Sequence, residues 1–293
     1  MYVAGIDVGS VAAKAVVLED QAGRPPCIAG RAVLPTGWNA AEAGRLALEQ
    51  ACAMADVARE NVARIVATGY GRVSLPFADK AVTEISCHAR GAAHLFPHAG
   101  IILDIGGQDS KVISLDVPRT QGACKAGTVR DFIMNDKCAA GTGRFLQVLS
   151  GILNMPLDEL GTAASEGAPV AISSMCAVFA ETEIVGLLAR GTAPRDIAAG
   201  VFRSIARRMC GLARRIALHD ECVFTGGLAT SPAFAAILSD ELGMPVNVPD
   251  DPQVTGALGA ALIALGLYAK ETAAASESST TQPKGPNHEM CQF

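Results

Sequence analysis

The sequence predicts a duplicated α/β fold: two halves, each a sheet with helices, arranged around a cleft. Two observations carry this. The order strand–strand–strand–helix–strand–helix occurs twice along 293 residues, the second time with a helical insertion between about 153 and 220. Each pass also opens on a hydrophobic strand that ends in an aspartate and a Gly-rich turn, GIDVGS at 5–10 and LDIGGQD at 103–109. A hydrophobic content of 50% is enough to bury one large domain or two ordinary ones.

In the first pass, YVAGIDV (2–8) and AAKAVVLE (12–19) read as strands around a Gly–Ser turn, with a third strand at about 28–33. A helix follows from Asn39 as N-cap to about 55, because Ala, Leu and Met recur at helical spacing. RIVATG is a short strand, and a helix covers about 83–95. At residue 100 the pattern restarts with IILDIGG, KVISLD and TVRDFIM as strands and a helix at 141–152. Beyond the insertion come a strand at 221–225, a helix at 232–242, the strand PVNV and a final helix at 253–268. The boundary lies near 98. Residues 1–98 form one domain and 99–252 a second, and the 253–270 helix is expected to pack back on the first. The last stretch, 271–293, is Ser/Thr/Pro-rich and aperiodic, the pattern of a disordered tail that leaves Cys291 a bystander.

Composition excludes several classes. A net charge of −5 and 4% aromatic residues argue against nucleic acid or an anionic membrane as partner. The first twenty residues carry Asp7 and lack a basic start and an apolar core, so they are not a signal peptide. The apolar run at 254–269 is short and Gly/Ala-rich, a packed helix rather than a membrane span, and a cytoplasmic protein is expected. Nine cysteines, an odd number in a long chain, fit a disulfide scaffold poorly.

The two Gly-rich turns have the chemistry of phosphate loops. Glycine lets backbone N–H groups approach phosphate oxygens closely. A carboxylate at the strand end, Asp7 or Asp104, can hold Mg²⁺, usually through water. Lys14 on the returning strand supplies a positive charge. FTGGLA (224–229) adds glycines after a further strand, and TGALGAAL (255–262) places small residues along a helix, where close packing or a nucleotide is tolerated. GxGxxG is absent after the first strand, and the Walker pattern is absent throughout.

At these residues the chain resembles the actin, hexokinase and Hsp70 ATPase superfamily. The resemblance implies ATP–Mg²⁺ between two duplicated domains. Gly9, Ser10, Val11, Ala12, Ala13 and Lys14 would meet phosphates, as would Gly106, Gly107 and Gln108. Asp7 and Asp104 would manage the metal and the attacking water, and Gly226 and Gly227 would lie against the nucleoside. Gln108 either orients water or the γ-phosphate or stabilises its turn.

NDKCAAGTGRF (135–145) joins two chemistries. Gly141, Thr142, Gly143 and Arg144 read as a tight phosphate-binding loop that opens a helix, and Cys138 is a thiol at that helix start. Its counterpart is Cys176 in SSMCAVFAETE, also before a helix. Two cysteines 38 residues apart make no Cys₄ site alone; a twofold homodimer would, and two inert core thiols are the alternative.

MNDKCAAGTGRF, DIGGQDSKVI, SCHARGA, ATGYGR, ISSMCAVFAETE and TGGLA together resemble the BadF/BadG/BcrA/BcrD ATPase family, across about residues 3–268. The nearest members look like activators of 2-hydroxyacyl-CoA dehydratases. The resemblance implies an oxygen-sensitive homodimer with one 4Fe–4S cluster held by Cys138 and Cys176 of each protomer. ATP binding and hydrolysis would move the helices that point at the cluster. One low-potential electron would then pass to a dehydratase or an acyl-CoA reductase component, and ferredoxin or flavodoxin would replenish it. The rivals are a permanent subunit of a benzoyl-CoA reductase-type complex, a cluster-free small-molecule kinase, and an ATP-sensing regulator.

Other residues carry two readings each. DVPRTQGACKAGTV (116–129), with Cys124, is longer than the family's turn and reads as a surface insertion. Cys87–His88 is a packed helix face rather than a redox pair. Glu181 and Glu183 either tune the cluster and its partner face or are solvated. Arg203, Arg207, Arg208, Arg214 and Arg215 read as a solvated helix surface rather than a nucleotide contact.

Overall fold

The computed structural model describes residues 1–116, 127–173, 177–216 and 221–279, with backbone alone for 275–279. Val-, Ile- and Ala-rich segments form an antiparallel meander of β1 (Tyr2–Val8), β2 (Ala12–Glu19) and β3 (Cys27–Pro35). α1 (Ala40–Met54) starts where the Asn39 side chain accepts the Glu42 N–H, and it lays Ala43, Ala47, Leu48 and Ala51 on the sheet. β4 (Val62–Thr68) returns parallel to β1. A two-residue β5 (Lys80–Ala81) extends that edge, and α2 (Glu84–Leu95) follows under a Thr83 cap.

The second pass repeats these steps. β6 (Ala99–Ile105), β7 (Ser110–Leu115) and β8 (Val129–Asn135) form the meander. The insertion supplies α3 (Gly143–Leu153), α4 (Leu157–Glu166), α5 (Ala177–Ala189) and α6 (Pro194–Ala213). β9 (Glu221–Gly226) then runs parallel to β6, followed by α7 (Pro232–Leu242), β10 (Val246–Asn247) and α8 (Thr255–Ser279). The strand orders β3-β2-β1-β4-β5 and β8-β7-β6-β9-β10 are the same order, strand for strand.

Each sheet needs covering on both faces, because its parallel strands are apolar all round. In the second half Phe234 of α7 sits 5.7 Å from Phe202 of α6 and 5.6 Å from Phe224 of β9, ring centre to ring centre. In the first half α8 crosses β1 so closely that a Cβ on Gly5 would lie 2.1 Å from the Ala257 carbonyl. α2 and α8 approach as tightly, since a Cβ on Gly259 would lie 1.7 Å from the Cys87 carbonyl. The small residues of TGALGAAL therefore serve helix packing. Among the described residues the stretch Pro252–Ala274 alone is long and apolar enough to cross a bilayer, and 61% of its apolar window is buried within the protein.

Three differences from the sequence reading have local causes. β5 has only two residues, below what a hydrophobic pattern reveals. α8 continues to Ser279, past the expected tail start at 271, because its Ala-rich end favours helix and Glu271 pairs with Arg64. α3 begins at Gly143 rather than 141, after one 3₁₀ turn at Ala139–Gly141. The 117–126 stretch with Cys124, the ligand candidate Cys176, and 280–293 with Cys291 lie outside the described residues.

Candidate active site

A cleft of about 950 Å³ is lined by residues of both halves. At its floor the duplication reaches single residues. Asp7 at the end of β1 pairs in register with Lys14 on β2 and Thr68 on β4. Asp104 at the end of β6 pairs in register with Lys111 on β7 and Thr225 on β9. Gly69 and Gly226 follow these threonines with φ of +82° and +92°, a conformation that excludes most side chains. The hairpins close alike, with the Gly9 N–H donating to the Ala12 carbonyl and the Gly106 N–H to the Asp109 carbonyl.

The two halves then diverge electrostatically. Lys14 Nζ donates to Asp7 Oδ2 at 3.1 Å and stays at the cleft wall. Lys111 is almost fully buried and meets three carboxylates: Asp109 at 2.8 Å, Asp104 at 3.3 Å and Glu84 at 3.5 Å. Burial works against its charge, but Asp104, Glu84 and Asp109 together hold Lys111 protonated above the ordinary lysine range. Burial likewise would raise Asp104, yet His88, Lys111, the Thr225 hydroxyl donating at 2.9 Å, and Lys14 hold it below the usual carboxylate range. Burial pushes Glu84 up, with Lys111 opposing.

The two loops touch. A Cβ on Gly107 would lie 2.2 Å from Val11 Cγ2, so the bareness of Gly107 admits the other loop's side chain. The start of α3 is attached to the second loop. The Gly143 N–H donates to the Gly106 carbonyl at 2.9 Å and the Arg144 N–H to the Gly107 carbonyl at 2.8 Å. Upstream, Asn135 grips the Cys138 backbone from both sides: Nδ2 donates to its carbonyl at 2.9 Å and Oδ1 accepts its N–H at 3.2 Å.

Residues 4–264 match the BadF/BadG/BcrA/BcrD ATPase family. The chain belongs to this family. It is 45% identical over 267 residues to the activator of lactoyl-CoA dehydratase of Anaerotignum propionicum, covering 90% of this chain and 97% of that one. The solved activator of the 2-hydroxyisocaproyl-CoA dehydratase from Clostridium difficile, with bound ADPNP, superposes with a TM-score of 0.84 at 38% identity, covering 98% and 100%. A benzoyl-CoA reductase subunit of Thauera aromatica is 30% identical over 267 residues, covering 88% and 91%. A ROK family glucokinase from Streptomyces griseus shares the fold alone, with a TM-score of 0.53 at 14% identity, covering 91% and 100%. The fold is thus the actin- and hexokinase-like ATPase fold.

For this family member the expected site residues divide by position. Asp7, Gly9, Ser10, Val11, Ala12, Lys14, Asp104, Gly106, Gly107, Gln108, Gly143, Gly226 and Gly227 line the cleft. Ala13, Gly141, Thr142 and Arg144 do not. Ala13 is fully buried on the other face of β2, as strand alternation requires. Gly141 packs beside Asn135, and the buried Thr142 hydroxyl donates to the Ala139 carbonyl. The Arg144 side chain is exposed and donates to Gln147. The Gly143 and Arg144 N–H groups are bound to the Gly106 and Gly107 carbonyls, so GTGR joins α3 to the second loop.

Cys87 is fully buried, and burial pushes its thiol up to about 12, which suits a packed helix face. Its neighbour His88 turns the other way and lines the cleft. Glu183 accepts from the Ser173 N–H and hydroxyl, anchoring the last described residue before Cys176. Arg203 and Arg207 pair with Glu241 of α7, bracing two helices. Sequence reasoning missed Glu84 and Lys111 and read His88 only as part of a packed helix face. The seven-residue Asp–Lys spacing, 7 to 14 and 104 to 111, was an available signal for Lys111. Glu84 and His88 stand one helical turn apart. It also missed the α4 wall of Leu157, Asp158, Gly161 and Thr162, for which the sequence holds no motif.

Proposed function

We propose that the chain is an ATP-hydrolysing one-electron donor that activates a 2-hydroxyacyl-CoA dehydratase. One observation carries the reading: the turn bearing Cys138 is joined through α3 to the second phosphate loop by two backbone hydrogen bonds. A nucleotide that shifts Gly106 and Gly107 therefore shifts the base of the cysteine turn.

The residues divide the work. Lys14 and the amides of both loops bind the phosphates. Asp7 and Asp104, one from the first strand of each half, hold Mg²⁺ through water. Cys138 and Cys176 from each of two copies hold a 4Fe–4S cluster, which when bound supplies one electron at low potential. The chain fits such a ligand set in part: Cys138 is half-buried at the outer edge of the core, which it shares with Ala177 at the start of α5. On α5, Val178 and Phe179, which follow Cys176 in the sequence, are each 69% exposed, an apolar surface that a second copy would cover. Ferredoxin or flavodoxin would reduce the dimer. The 30% identity to a benzoyl-CoA reductase subunit favours, as second reading, a stable place in such a complex.

The test is anaerobic purification, iron and acid-labile sulfide analysis, and EPR after dithionite reduction. About four irons per dimer are expected, lost in Cys138→Ser and in Cys176→Ser. Iron-free wild type that still binds ATP would sink the electron-transfer reading. Co-purification with catalytic subunits would select the second.

A further inference from the structure

α2 belongs to the first half by sequence, yet its side chains reach across to the carboxylate of the second. His88 is 6% exposed, lines the cleft, and brings Nδ1 to 3.5 Å from Asp104 Oδ1. That approach lacks the geometry of a hydrogen bond, and Nδ1 finds no hydrogen-bond partner among the described residues. A buried imidazole nitrogen without a partner costs free energy unless another state satisfies it. At the other end of the ring, Nε2 and Asp7 Oδ2 both border the bare Cα of Gly256: a Cβ there would lie 2.9 Å from Nε2 and 3.1 Å from Oδ2. The imidazole thus spans the strand-end carboxylates of both halves.

We propose that His88 is a positioning residue for the water that attacks the terminal phosphoryl group of ATP. This rests on the ATP-hydrolysing reading above. In a closed state that brings Nδ1–H onto Asp104 Oδ1, a ring with its one proton on Nδ1 has its acceptor lone pair on Nε2. Nε2 and Asp7 Oδ2 are then two acceptors on the same side of the cleft. A water donating one hydrogen to each keeps an oxygen lone pair free for phosphorus. In the step, the water oxygen bonds to phosphorus and the bond to the bridging oxygen breaks with its electron pair left on ADP. The displaced proton leaves on the inorganic phosphate. A ring that touches both halves also makes the arrangement depend on cleft closure, since Asp104 moves with one half and Asp7 with the other.

The experiment measures ATP hydrolysis with Mg²⁺, nucleotide affinity and thermal melting on the full chain, His88→Ala and His88→Gln. His88→Ala is expected to lose about 100-fold in kcat with KM for ATP within about threefold. His88→Gln keeps an acceptor where Nε2 stands and is expected to regain activity to within about tenfold of wild type. Wild-type kcat in His88→Ala overturns the inference. So does an equal loss in both variants that tracks their melting temperatures, which assigns a purely structural role. Wild type that binds ATP without hydrolysing it overturns the ATPase reading and this inference with it. A hydrolysing wild type beside a fully active His88→Ala overturns this inference alone.

Discussion

Lys14 and Lys111 occupy matching register positions and do different work. Lys14 has its Asp7 partner and an open side toward the cleft, so Lys14→Ala should weaken ATP binding by about 1.5–3 kcal/mol with little change in melting temperature. Lys111→Ala leaves Asp104, Asp109 and Glu84 facing one another in a buried site, and should cost about 3–5 kcal/mol of stability. Calorimetric titration and denaturant melts separate the two. The pH dependence follows from the signs. Lys111 has a raised folded value, so its contribution is complete below the ordinary lysine value and fades as pH rises through the folded one. Asp104 has a lowered value, so its contribution is complete above the ordinary aspartate value and fades only in stronger acid. Both are in force around neutrality, and the Lys111→Ala deficit should be largest there. The thiols separate as sharply. Burial pushes Cys87 and Cys222 up to about 12 and Cys210 to about 11. Iodoacetamide near pH 8 should therefore label exposed Cys27 and leave these three intact until the chain unfolds. Labelling of Cys87 in the folded state would contradict the packing described.

Among elements, α3 is the one on which the proposed coupling rests. Gly143 is its first residue, and Thr142 before it is extended, with φ −135° and ψ 169°. Both positions suit a proline at 143, which is tolerated in a first helical turn and wants an extended predecessor. Gly143→Pro therefore suits the helical start of α3 but puts a ring methylene where the N–H met the Gly106 carbonyl at 2.9 Å, so the joint is forced open. Electron delivery per ATP hydrolysed should fall by about tenfold, within the usual range of coupling between sites. Nucleotide-dependent hydrogen-exchange protection around 138–146 should fade with it. Unchanged coupling in this variant would mean that the signal travels by another route. The joint was only half legible in the sequence. GTGR does open a helix near a cysteine, but glycines there look the same whether they cradle a phosphate or let two backbones meet. Only the location of the acceptors, Gly106 and Gly107, separates the two.

At the scale of the whole molecule, the order of strands and helices was readable because nearly every element had a strong period and a cap or a glycine at its end. Asn39 and the Asp–Gly turns are examples. The two-residue β5 was not readable, and neither was the α4 wall of the cleft, where apolar and small residues carry no chemical signature. His88 was obscured for a further reason: its neighbour Cys87 does face the core, and helical spacing alone does not say which way the next residue turns. The side of α2 that matters is set by α8, which arrives from the far end of the chain and presses its backbone against Gly5 and Cys87. The duplicated halves are therefore interlocked, since the first sheet wears a helix that follows the second half in the chain and lends α2 to its sibling. A ribosome that has released residues 1–98 has made a sheet with one bare face. Expressed as two pieces split near residue 98, the protein should behave as a complementation pair, each piece insoluble or inert alone and hydrolysing ATP only after mixing. A first fragment that folds alone, as judged by a cooperative melt, would mean that α8 is an accessory to that half rather than a part of it.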